Sequence, residues 1–153
     1  MIFSYNELLK KYKNTYQITK AVENKEIFSL TEENEHTPKN WPKNVIGYTS
    51  THDSEPIRAA IESLPKEHYS GVVKTLKIDT LTETIGMSAI RAAYDTSARI
   101  VIVPIVDVLS LGLDGRINTP GTVGPENWSW RAEAESITET LANKLASLVQ
   151  YYE

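Results

Sequence analysis

No cysteine occurs in the 153 residues. Disulfides, a thiolate nucleophile and cysteine-ligated zinc are excluded together, while the redox compartment is left open. There is no block of Lys and Arg either: sixteen basic residues are interspersed among twenty acidic ones, for a formal net charge of −4. A surface that follows a phosphate backbone needs clustered cations, so nucleic acid is not an expected partner. No stretch reaches the roughly 18 uninterrupted apolar residues that suit a bilayer. The opening "MIFSYNELLKKYKN" has no cationic segment running into an apolar core. The expectation is a cytoplasmic protein without a membrane partner. No internal repeat is evident, and the length suits one domain of about 100 to 200 residues, so 1–153 is read as a single domain.

What is present is an alternation of helical and strand-like segments. Ser4 and Glu7 have capping-box spacing and open a predicted helix near 4–14 with Leu8, Leu9 and Tyr12 on one side. "KEIFSL" (25–30) reads as a short strand, and the polar "TEENEHTPKNWPKN" after it as a long loop of the kind that often carries function. "VIGYT" (45–49) is a second strand. Ser54 stands where an N-cap belongs, ahead of Pro56 and the helical spacing of Ile57, Ala60, Ile61 and Leu64. Thr80 with Glu83, and Ser136 with Glu139, predict two further helices. The first carries Leu81, Ile85, Ala89 and Ile90 to about Tyr94; the second carries Ile137, Leu141, Leu145 and Leu148. Between them residues 100–106 are apolar without alternation, as in a parallel strand covered on both faces. Such an order predicts a parallel α/β fold, in which ligands gather at the carboxyl ends of the strands.

Two polar clusters fall at those ends. "NVIGYTSTHDSEPI" (44–57) leaves its strand through Thr51, His52 and Asp53. A turn before a helix favours such residues for capping reasons, so His52 and Asp53 are either working side chains or an ordinary polar connection. A metal is a third reading, with His36, His52 and His68 as conceivable ligands, yet their surroundings match no helical His-x-x-x-His pair; no metal or other cofactor is expected. The second cluster is Asp107 and "LSLGLDGRINTPGTVGPENWSWR" (109–131). Pro120-Gly121 signals a type II turn, preceded by the donors Arg116 and Asn118. Trp128 and Trp130 are two apart and face one way if the segment is extended. Indoles beside Asp, Asn and Arg suit sugar rings, whose faces are apolar and whose edges are polar; alternatively both pack in the core under the last helix.

These residues carry a resemblance. "ENEHTPKNWPKNVIGYTSTHDSEP", followed by "SARIVIVPIVDVLSLGLDGRINTPGTVGPENWSWR", resembles the carboxy-terminal part of the 4-alpha-glucanotransferases (amylomaltases, disproportionating enzymes) of glycoside hydrolase family 77. In that family an Asn-Tyr-Pro stretch leads into Tyr-Thr-Gly-Thr-His-Asp-Asn. A later strand runs into Pro-x-Gln-Asp-x-Leu-x-Leu-Gly, an Arg-Met-Asn-x-Pro-Gly loop and Asn-Trp-x-Trp-Arg. The likeness covers roughly 25–131 in order and spacing. It implies about three β/α units from the carboxy-terminal portion of a (β/α)8 TIM barrel. It further implies retaining transfer of α-1,4-glucan segments between maltooligosaccharides, with Asp53 as the transition-state carboxylate and His52 beside it on the reacting sugar. Thr51, Asp107, Arg116, Asn118, Trp128 and Trp130 are then the expected substrate contacts, with Asn118 in a loop flanking the acceptor sites.

Val106 stands where the family has Gln, Ser54 where it usually has Asn, Ser50 where Gly is usual, and Lys39 where His is common. The nucleophile and acid/base come, in the family, from the ends of the fourth and fifth strands, and no residue here matches them. The resemblance therefore implies an inactive isolated chain. It would serve as one piece of an enzyme whose first five strands a second chain supplies, as a glucan-binding remnant without turnover, or as a structural subunit.

Overall fold

Three short strands, Thr-Tyr-Gln, Ile-Gly-Tyr and Ile-Val-Ile, make the sheet. The computed structural model describes residues 14–23 and 34–152. Within them three strands lie parallel in chain order: β1 (Thr15–Gln17), β2 (Ile46–Tyr48) and β3 (Ile100–Ile102). Thr15 pairs with Ile46 and Ile46 with Ile100, so all three strands end at one edge of the sheet. The helices are α1 (Ile18–Glu23), α2 (Ile57–Glu62), α3 (Lys66–Leu76), α4 (Ile85–Tyr94), α5 (Ile105–Val108) and α6 (Glu139–Tyr152). The helix expected near 4–14 and the strand expected over 25–30 lie outside the described residues, apart from Asn14.

The main core gathers Ile18, Trp41, Ile57, Ile61, Leu76 and Ala89 between the sheet and α1–α4. Full burial of an Ile or Leu side chain stabilises by about 1.5–3 kcal/mol, and Ile57 and Ile61 of α2 are both 0% exposed. Trp41 lies flat against β2. A Cβ on Gly47 would sit 2.2 Å from its ring, so only glycine admits the indole there. A smaller cluster of Met87, Ile90 and Val108 takes Leu141, Leu145 and Leu148 of α6, as the helical spacing of those leucines requires. No residue of α6 is itself buried, and a cleft of about 1020 Å³ separates part of α6 from α4.

Four expectations are corrected. β3 stops at Ile102 instead of running to 106, because Pro104 supplies no N–H for the ladder and begins α5. Nor is β3 covered on both faces: none of its three residues is fully buried, and Ile102 is exposed. Ser54 is not an N-cap, since α2 starts after Pro56. Neither Thr80 with Glu83 nor Ser136 with Glu139 forms a capping box. Asp79 accepts the Leu81 N–H and closes a turn of its own, leaving Thr84 to cap α4 through the Met87 N–H. Thr138 accepts from Leu141 at the start of α6, while Ser136 lies in a separate 3-10 turn and Ile137 is exposed ahead of the helix.

Candidate functional site

The connection from β2 to α2 is a tight turn. The Thr51 N–H donates to the Ser54 hydroxyl at 2.9 Å, and the Ser54 N–H donates to the Thr51 carbonyl at 3.2 Å. That closure turns His52 and Asp53 outward at the carboxyl edge of the sheet, with each side chain 52% exposed. Each carboxylate oxygen of Asp53 has a neighbour. His52 Nε2 lies 3.3 Å from Oδ2, and the Asn118 amide donates to Oδ1 at 2.7 Å. The His52 ring in turn lies against Trp128, centroid to centroid 5.1 Å.

The loop 110–131 supplies Asn118 and Trp128, and its own turns fix it. Gly121 has φ 77 and Thr122 N–H reaches the Thr119 carbonyl, which is the type II turn that Pro120-Gly121 signals. Asn127 accepts from Thr119 N–H and donates to Thr122, bracing the same turn. The loop is tied to the His52–Asp53 turn at several points. Asn118 N–H donates to the His52 carbonyl, and Arg116 reaches both the Asn118 carbonyl and Glu55 Oε1. Arg116 and Asn118, expected as donors to substrate, thus direct these donors to the protein itself. The Arg116–Glu55 pair was not anticipated, since nothing in the local spacing joins residues so far apart in the chain.

The two tryptophans do not share an extended segment. Trp128 has φ 64, a left-handed backbone that is rare for a bulky residue, and it is held there by its N–H on Ile117 and by Arg131 on its carbonyl. The two-residue alternation therefore does not apply. Trp128 lies beside His52 and is exposed, while Trp130 lines a separate cavity of about 340 Å³ with Arg116, Asn118 and Asn127. Neither belongs to the buried core, which takes Trp41 instead.

Asp107 is elsewhere than a substrate contact would be. It is 0% exposed, with Oδ2 accepting from the Thr49 and Ser50 hydroxyls, each at 2.5 Å, and Oδ1 from the Ile57 N–H at 2.8 Å. The expectation of a glucan contact is corrected: burial turns this carboxylate towards its own chain. Ser50, one of the departures from the family pattern, supplies one of the three donors; Val106, another, is buried. Thr51, between the buried Ser50 and the exposed His52, is half-buried. Among the described residues no three His, Asp or Glu side chains come together as metal ligands would. His36 packs edge-on against Tyr16, and burial lowers its tendency to protonate.

Burial holds the Asp107 carboxyl above its ordinary value, against the opposing pull of its Ser50, Thr49 and Ile57 donors. The folded chain therefore binds this proton more tightly than the unfolded chain. The stability this gives is fully present below the unfolded value and is lost as pH rises through the folded one. Asp107→Asn cannot ionise. Urea midpoints of variant and parent, compared from about pH 4 to about pH 7, are expected to drift in the variant's favour as pH rises; a constant gap would contradict the assignment.

Comparison with known proteins gives the family. A family model described as 4-alpha-glucanotransferase matches residues 14–138. The chloroplastic/amyloplastic 4-alpha-glucanotransferase of Solanum tuberosum is 39% identical over 128 residues, covering 82% of this chain and 22% of that protein. The 4-alpha-glucanotransferase of Clostridium butyricum is 37% identical over 120 residues, covering 78% and 24%. Among solved structures, amylomaltase from Streptococcus agalactiae in complex with acarbose superposes with a TM-score of 0.83 and 26% identity over 99% of this chain and 30% of that one. The chain thus spans between a fifth and a quarter of these two curated relatives. It belongs to the 4-alpha-glucanotransferase family, glycoside hydrolase family 77, and its parallel strands and helices correspond to a portion of a TIM barrel.

Proposed function

We propose that these residues form the carboxy-terminal side of a 4-alpha-glucanotransferase active site, in which Asp53 stabilises the transition state and His52 stands beside it on the reacting sugar. The observation that carries this reading is the Asp53 carboxylate, hydrogen-bonded by the Asn118 amide and with His52 Nε2 beside its other oxygen, at the carboxyl edge of a parallel sheet. Retaining transfer passes through an oxocarbenium-like sugar. A carboxylate fixed beforehand stabilises that charge without reorganising when it develops. The nucleophile and acid/base come from a further segment or a second chain that supplies the first five strands. The free edge of β3 among the described residues supports such an addition. The substrate is an α-1,4-glucan or maltooligosaccharide, and the setting is cytoplasmic.

The direct test is disproportionation of maltotriose. The 153-residue chain by itself is expected to yield no glucose and no longer maltodextrin. Joined by a family segment carrying the two missing carboxylates, it is expected to yield both. Products from the chain by itself would overturn the division of labour. The second reading, glucan binding without turnover, is favoured by Trp128, which is exposed and packs beside His52.

Both readings place a sugar against Trp128. Trp128→Ala is expected to weaken maltooligosaccharide binding by about 1–3 kcal/mol, followed by calorimetry, with little change in melting temperature. Unaltered affinity with marked destabilisation would assign Trp128 to packing.

A further inference from the structure

The segment that carries Thr51, His52 and Asp53 leaves the sheet at Ser50 and rejoins regular structure at Ile57. One carboxylate holds both of those points. Asp107 Oδ2 accepts the Thr49 and Ser50 hydroxyls at the end of β2, and Oδ1 accepts the Ile57 N–H at the start of α2. The N-cap of α2 is Pro56, whose side chain can accept no hydrogen bond, so Asp107 caps this helix from another element. Asp107 is itself fixed from behind. Ser110, just past α5, accepts the Gly86 N–H at the start of α4, and Arg58 of α2 donates to the Ser110 carbonyl. A rigid pair of helices thus presents one buried acceptor to the two ends of an exposed turn.

We propose that Asp107 is a positioning residue: by clamping both ends of the turn 51–56 it sets where His52 and Asp53 stand relative to Asn118 and Trp128. The proposal rests on the role given to Asp53 above, but it concerns the turn and can be read without substrate. A buried carboxylate serving only overall stability would loosen the whole chain when altered. A clamp loosens the turn it holds.

Amide hydrogen exchange of the intact chain, followed by NMR without glucan, separates the two. In Asp107→Asn the amides of Thr51, Ser54 and Ile57 are expected to exchange about tenfold faster or more, while those of Val72 and Leu76 in α3 and Ala89 in α4 stay within about twofold. The Asn118 side-chain amide signal is expected to move towards that of an unbonded carboxamide. Equal acceleration throughout, or no acceleration of the turn, would overturn the proposal. Ser50→Gly removes one donor and leaves the carboxylate, and is expected to give the same local pattern at about threefold. If Asp107→Asn does not fold, that variant decides, with uniform or absent acceleration again counting against the clamp. Because no sugar is present, the result is separable from that of the maltotriose assay.

Discussion

Asp53→Asn is expected to lower transferase turnover about 100-fold or more, roughly 3 kcal/mol of transition-state stabilisation, in a preparation that also contains the nucleophile and acid/base segment. The carboxamide has nearly the same shape and still offers an oxygen to the Asn118 amide, so what is removed is chiefly the charge. The charge matters only once the sugar has become cationic, and turnover is expected to fall more than apparent affinity. The side chain is half exposed, and its two partners, His52 on the turn and Asn118 in the loop 110–131, lie outside the core. The melting temperature of the 153-residue chain should therefore hardly move. Initial rates of maltotriose disproportionation, set beside thermal denaturation of the same variant, give the answer. Retained turnover, or an unfolded variant, would remove Asp53 from the role given to it.

Gly86→Ala is expected to cost about 3 kcal/mol of stability, the upper end of what overpacking usually costs. On helix propensity alone the change is favourable by up to about 1 kcal/mol. The contact reverses that sign. A Cβ at this position would lie 2.0 Å from the Asp107 carbonyl oxygen and 3.1 Å from the Ser110 side chain, and a backbone carbonyl cannot swing away as a flexible side-chain end would. Gly71, within α3, provides the control, because a Cβ there meets nothing within 4 Å. Gly71→Ala should stabilise by up to about 1 kcal/mol where Gly86→Ala destabilises. Urea unfolding of the two variants measures both, and a Gly86→Ala midpoint equal to or above the parent's would refute the close approach of α4 to α5.

The parts of this chain legible in its sequence are those governed by local chemistry. "VIGYT" had to be a strand and Pro120-Gly121 a type II turn, and both are found. The motif around His52 and Asp53 was legible through resemblance rather than periodicity. α3 went unseen because only Val72 and Leu76 of it are buried, too few apolar positions to give a stripe. β1 is three residues long, too short to show an alternation. The caps were misplaced by a few residues because a second hydroxyl, Thr84 or Thr138, stood close by, and packing chose between equivalent candidates. Two further errors have tertiary causes. The orientation of Trp128 follows from a left-handed backbone imposed by its partners, and the burial of Asp107 follows from donors about fifty residues earlier in the chain.

Among the described residues the terminal helix α6 packs on the rest through three partly buried leucines and the stacking of Tyr152 on Tyr94, beside an open cleft, and contains no fully buried side chain. Its attachment therefore represents a small share of the free energy that holds the sheet and α1–α4 together. Fraying of α6 is therefore expected at a lower free energy than opening of the main core, with its amides exchanging faster than those of α1–α4.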